Sequence, residues 1–145
     1  GARIFTLSDA ASDAASAALA ERHDRLDILS GIDLNGADDV VTDVLLDLAR
    51  LETAPRARAL AQSVLAGIEN ATGDLYKLPL QQAAFSVLKA ADIPSILVEA
   101  GFLSTDQDLD NLIDPLWRAG FIAGLRDGLA AWVISDRAEA TLRRR

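Results

Sequence analysis

The sequence predicts an α/β domain, a layered and largely parallel twisted sheet flanked by helices. Three observations carry this. Two short runs rich in strand-forming residues, Arg3-Ile-Phe-Thr-Leu7 and Ile96-Leu-Val98, are separated by long stretches whose apolar residues recur at helical spacing. The second run is continuous rather than alternating, as expected of a strand covered on both faces. The 145 residues suit one domain, and no repeat or flexible linker divides them. The expected boundaries are 1–135 for the domain and 136–145 for a polar, basic tail that ends in three arginines and frays.

The elements follow in order. Arg3 to Leu7 is the first strand. Ser12 is a suitable N-cap for an Ala-rich helix reaching about Leu26, with Ala15, Ala18, Leu19 and Leu26 on its buried side. Ser30-Gly31 closes that region and Asn35-Gly36 marks a turn. Asp38-Asp39 opens a second helix at the end where carboxylates favour the dipole, and Val40, Val44, Leu45 and Leu48 form its apolar face. Ala54-Pro55 restarts the pattern, because Pro suits a first turn and disfavours helix in the residue before it. That third helix buries Leu60, Val64, Leu65 and Ile68 and stops at Gly73. Leu78 to Gln82 reads as a connector, followed by the apolar runs Phe85–Leu88 and Ile96–Val98. Thr105 with Asp108 resembles a capping box opening a short helix. Asp114-Pro115 begins the last helix, where Phe121, Leu125, Leu129 and Trp132 keep helical spacing.

Composition narrows the function. A formal charge of −8, spread along the chain, argues against nucleic acid, whose phosphates would be repelled. Without Cys there are no disulfides, thiolate metal sites or thiol nucleophiles. Residues 1–7 lack the basic start and apolar run of a signal peptide, and an exported protein could begin upstream. Gly120, Gly124 and Gly128 have the small-xxx-small spacing of membrane helices. Arg118, Arg126 and Asp127 interrupt it, and no apolar run approaches ~20 residues, so the chain does not span a bilayer. Close packing of a helix on a sheet is the expected use of these glycines.

Glu99 is the most informative candidate. It directly follows an apolar strand, the end at which α/β folds place ligands, and a carboxylate there suits general acid–base work. Two structural alternatives stand beside that role: Glu99 caps a neighbouring helix, or it pairs with a buried Arg. His23 is the single histidine, and a zinc centre commonly uses two His among three protein ligands. Ser86, Ser95 and Ser104 lie in no nucleophile elbow. There is no phosphate-binding glycine motif. Asp38, Asp39, Asp43 and Asp47 follow helical rather than calcium-loop spacing, as on a solvated helix face.

Several segments together resemble the zinc-dependent N-acetylmuramoyl-L-alanine amidases of the amidase 3 family. Gly1-Ala-Arg-Ile-Phe-Thr-Leu-Ser8 is similar to the family's Gly-Ala-x-x-Tyr-Thr-Leu-Ser. Leu19-Ala-Glu-Arg22, Ser30-Gly-Ile-Asp-Leu34 and Leu45-Leu-Asp-Leu48 resemble further family words. The longest match is Gln82 to Ser104, which contains Ile-Leu-Val-Glu99-Ala-Gly-Phe. The final helix to Trp132 also fits, so the resemblance covers the chain except its tail, as the C-terminal two-thirds of the catalytic domain.

The resemblance implies a peptidoglycan hydrolase that cleaves the amide between N-acetylmuramic acid and L-alanine, periplasmic or secreted, acting in cell-wall remodelling and daughter-cell separation. It implies a zinc ion whose ligands, two His and a Glu, lie on segments upstream of Gly1. Glu99 takes the place of the family's general base and acid. His23-Asp24 stands where Glu-Asn is usual, and Thr105-Asp106 where Asn-Pro is common. In some relatives an inserted helix blocks the metal until an activator protein releases it. Residues 21–60 occupy that part of the chain, and His23 or Asp24 would then be a regulatory ligand; a plain structural helix is the alternative. A truncated, non-catalytic wall-binding or regulatory module is the competing function, and an unrelated α/β ligand-binding domain the third.

Overall fold

The computed structural model describes residues 1–8, 10–29, 40–90 and 92–143, and among these the side chains of all except 23–29, 40–47, 49 and 143. Among the described residues the order is β1 (Ala2–Leu7), α1 (Ala14–Leu29), α2 (Val40–Thr72), β2 (Leu75–Ala83), a 3₁₀ turn (Ser86–Leu88), β3 (Leu97–Glu99), α3 (Asp106–Ile113) and α4 (Pro115–Arg143). The strands form one sheet in the order β2-β1-β3, mixed but with largely parallel pairing. β1 and β2 run parallel: the Ala2 N–H donates to the Asp74 carbonyl at 3.2 Å, and the Ser8 N–H to that of Ala83 at 3.2 Å. The α/β expectation holds.

Two compact units divide the chain. The first comprises Gly1–Ile4, Arg58–Leu80 and Val98–Arg145. Its buried apolar residues include Ala2 and Ile4 of β1, Leu60, Ala61, Val64, Leu65 and Ile68 of α2, and Phe121 of α4. The four α2 positions expected to be buried are therefore buried, and Gly73 ends that helix at φ 66°, the left-handed conformation a glycine adopts without penalty. Within this unit the glycine face of α4 packs on α2. A Cβ on Gly128 would stand 2.5 Å from the Ser63 carbonyl oxygen, and one on Gly124 2.5 Å from that of Gly67. The Ser63 hydroxyl donates to the Gly128 carbonyl at 2.7 Å. The glycine spacing thus serves backbone-to-backbone contact between helices, and the buried positions of α4 are Phe121, Gly124 and Gly128, while Leu129 is exposed.

The second unit comprises Phe5–Ala57 and Gln81–Leu97. Its core is Phe5, Ala20, Ala83, Phe85 and Leu88, with Leu7, Ala11, Leu19 and Leu97 packed around it. The Phe5 and Phe85 rings meet edge-on at 5.1 Å, a favoured aromatic geometry. Asp13, not Ser12, caps α1: its carboxylate accepts the Ser16 N–H at 2.7 Å. Ser12 is drawn off to β2, where its hydroxyl accepts the Gln82 N–H at 2.7 Å. Ser16, Leu19 and Ala20 turn inward while Ala15 and Ala18 are exposed. The Ser16 hydroxyl is fully buried and satisfied by Gln81 Oε1 at 2.7 Å. The expected place of Leu26 lies outside the described side chains.

Other expectations are corrected. Pro55 lies inside α2, which runs on unbroken, so the two expected helices are one. An interior Pro costs about 3 kcal/mol, a penalty that the buried face beyond it offsets. Leu48 is exposed, Val40, Val44 and Leu45 lie outside the described side chains, and Asp38 and Asp39 outside the described residues. Leu78–Gln82 belongs to β2, whose exposed, polar residues and Pro79 disguise it; at the edge of the sheet the missing N–H of Pro is tolerated. Phe85–Leu88 forms the 3₁₀ turn, and β3 is partly rather than fully covered. Residues 136–143 continue α4 as helix. No helix among the described residues is long and apolar enough to cross a membrane.

Candidate functional site

The site is built around the last residue of β3. Glu99 ends that strand with its side chain about a quarter exposed. Arg3, the second residue of β1, has 9% of its side chain exposed, and its Nε donates to Glu99 Oε2. Of the two alternatives to a chemical role, pairing with a buried Arg is the one this geometry realises. It engages one carboxylate oxygen; Oε1 bonds to no other described residue. A buried Arg needs both a counter-charge and contact for its plane. The guanidinium carbon lies 4.7 Å from the Phe102 ring centroid and 5.3 Å from that of Tyr76, within cation–π range of both. The two rings are 5.2 Å apart and tilted by 52°.

The turn after β3 is fixed from α3. Asp108 is buried, and its Oδ2 accepts the Phe102 N–H at 2.8 Å. Gly101 allows this: a Cβ there would stand 3.1 Å from Asp108 Cβ, tighter than side chains usually approach. Asp108 Oδ1 accepts from the Gly1 nitrogen at 2.6 Å. Burial pushes the Asp108 carboxyl upward, but the ammonium that Gly1 carries where this sequence begins and the Phe102 N–H outweigh it and hold it below its ordinary 3.8. The expected capping box is therefore absent: Thr105 occupies the N-cap without a side-chain bond, because Asp108 has turned to the β3 turn instead. Asp74, whose Oδ2 accepts from Asn111 Nδ2 at 2.9 Å, also ties β2 to α3 within this unit.

Of the residues that the sequence puts forward for chemistry, Glu99 alone among those with described side chains reaches a defined constellation. Arg3, Tyr76 and Asp108 complete it, and sequence reasoning misses them in that part. Arg on a short strand gives no sign of burial in a one-dimensional pattern, and Tyr76 falls between an expected helix and an expected connector, in no element of its own. β1 is buried on both faces from Ala2 to Thr6, so no alternation marks Arg3 either. His23 and Asp24 belong to α1 by backbone, and their side chains lie outside the described ones. Among the described residues no three His, Cys, Asp or Glu side chains gather into a group that could hold a metal ion.

Comparison with known proteins adds the family. The model of the amidase 3 family, described as N-acetylmuramoyl-L-alanine amidase, matches residues 1–131. The amidase AmiA of Salmonella typhimurium is 31% identical over 133 residues, which cover 91% of this chain and 46% of that protein. AmiA of Escherichia coli K12 is 30% identical with the same coverage. AmiC of Escherichia coli O6:H1 is 30% identical over 146 residues, covering 100% of this chain and 34% of the relative. The chain thus spans less than half the length of these relatives. On a match that takes in β1, the turn after β3 and most of α4, the chain belongs to the amidase 3 family of N-acetylmuramoyl-L-alanine amidases.

Proposed function

We propose that the chain forms the Glu99-bearing part of a peptidoglycan hydrolase that cleaves the amide between N-acetylmuramic acid and L-alanine. The observation that carries this reading is the state of Glu99: one oxygen is held by Arg3, while Oε1 bonds to no other described residue and the side chain is partly exposed. Such a carboxylate can take a proton from the attacking water and return it to the nitrogen as the C–N bond breaks, so that the amine leaves neutral. A zinc ion, when bound, would polarise the scissile carbonyl and acidify water. Its ligands belong, on this reading, to segments ahead of Gly1. The family match supports a periplasmic or secreted place of action in wall remodelling and cell separation, with release by an activator protein as a further part of the proposal.

Glu99→Gln in the complete amidase, meaning this chain joined to the zinc-ligand segments, tests the reading. Hydrolysis of purified peptidoglycan should fall about 10²–10⁴-fold, the usual cost of losing a general acid–base group, with zinc content unchanged. Near-normal turnover would remove Glu99 from the chemistry. The chain by itself should show neither stoichiometric zinc nor hydrolysis. The Arg3 ion pair is the observation that favours a second reading, a non-catalytic wall-binding module in which Glu99 is purely structural. On that reading Glu99→Gln lowers thermal stability and leaves wall binding as the only measurable activity. His23 or Asp24 as a regulatory ligand predicts that His23→Ala raises basal activity without activator, and unchanged activity would return His23 to a surface role.

A further inference from the structure

We propose that Arg3 is a positioning residue for Glu99, holding the carboxylate at one oxygen so that the other faces the reaction; this rests on the amidase reading above. Three features of Arg3 lead there. It is 8% exposed as a residue, too enclosed to meet a polymeric substrate itself. Its plane is bounded by two rings, with centroids 4.7 Å and 5.3 Å from the guanidinium carbon, which restrict the rotation that an exposed Arg retains. Its Nε–H is directed to Oε2 of Glu99, so the acceptor is selected by atom as well as by charge.

The two side chains reach each other from different elements, Arg3 from β1 and Glu99 from the end of β3. A Glu has three side-chain torsions, and one at a partly exposed strand end samples several rotamers unless something restrains it. A charge-assisted bond to one oxygen supplies that restraint. Proton transfer requires the receiving oxygen within hydrogen-bond reach of the proton, and small misplacements cost large factors in rate. The Phe102 ring belongs to the same arrangement, since the Asp108 carboxylate fixes its backbone N–H at 2.8 Å. Arg3 therefore acts through Glu99 and touches neither substrate nor metal.

The test uses four forms of the complete amidase: wild type, Arg3→Met, Glu99→Gln and the double variant, with Arg3→Lys as a fifth. Arg3→Met should lower kcat about 10–100-fold and change KM less than about threefold, because orientation of the general base matters in the transition state. Arg3→Lys, which keeps the charge but not the planar fork, should recover part of that loss. In the Glu99→Gln background Arg3→Met should cause no further loss, since residues acting as a unit are non-additive. Additive losses, or a wild-type kcat in folded Arg3→Met, would overturn the positioning role. If Arg3→Met does not fold, Arg3→Lys decides: full activity at wild-type stability overturns the proposal, and a reduced kcat at unchanged KM supports it. An inactive wild type, or an active Glu99→Gln enzyme, would instead bring down the amidase reading, and the positioning role with it.

Discussion

Each of the two units contains an enclosed pair of polar side chains, and the pairs differ in a way that separates structure from chemistry. In the second unit the Ser16 hydroxyl donates to Gln81 Oε1, both residues are buried, and neither carries charge. In the first unit Arg3 and Glu99 are both charged, and only the Arg is fully enclosed. A neutral pair deep inside costs little to bury once its bonds are made. A charged pair costs more to desolvate, and replacing it with apolar residues is often neutral or stabilising. Stability alone is therefore a weak reason for the second pair. Its partial exposure leaves a carboxylate oxygen accessible, which a purely structural pair has no need to provide.

The largest expected effect sharpens this contrast. Glu99→Gln should remove about 3–5 kcal/mol of transition-state stabilisation in the complete amidase, the equivalent of its 10²–10⁴-fold rate loss. Ser16→Ala should leave kcat unchanged and lower folding stability by about 1–3 kcal/mol, because Gln81 would lose a buried partner. Denaturant titration beside a hydrolysis assay separates the two outcomes. A large rate loss in folded Ser16→Ala would break the comparison, since the neutral pair would then also serve catalysis.

A smaller effect lies at Asp108. In the 145-residue chain, where Gly1 supplies an ammonium, its folded-state carboxyl titrates below the ordinary 3.8, so its stabilising contribution is complete above that value and is lost as pH falls through the lower, folded one. Acid unfolding of the 145-residue chain should accordingly steepen below pH 3.8, and Asp108→Asn should lack that component. A parallel pH dependence in both proteins would show that the charge on Asp108 contributes nothing to holding the turn after β3.

Glu99 is legible because a carboxylate ends a recognisable apolar strand within a long family word. Its partner is not, because the link between positions 3 and 99 exists only once β1 and β3 are neighbours. The same limit hides β2: an edge strand that buries only Gln81 and Ala83 has little apolar pattern to show, and Pro79 argues against it locally. Pro55 misleads in the opposite direction, since the local penalty of an interior Pro is visible in sequence while the burial that offsets it on α2 is not. At α1 the Ala-rich sequence offers several equivalent faces, and only packing selects the one with Ser16 and Ala20 over the one with Ala15 and Ala18.

The glycine contact between α2 and α4 has a mechanical consequence for the turn that carries Phe102. Where two backbones touch with no side chains between them, neither helix can slide without a clash, and the Ser63 bond to the Gly128 carbonyl fixes the register. α4 follows α3 directly, with the Asp114 N–H bonded to the Asp110 carbonyl at 3.1 Å and the Arg118 N–H to that of Asp114 at 3.1 Å. The helix anchored at Gly128 begins at Pro115, after the single extended residue Asp114, and packs against the short helix that presents Asp108 to the turn after β3. Gly128→Ala is expected to force the helices apart at a cost of about 1–3 kcal/mol. Because α3 packs on the displaced helix, the same change should also reduce kcat in protein that remains folded. A variant of this kind, found in an activity screen, would report a change relayed through helix packing rather than a contact with substrate.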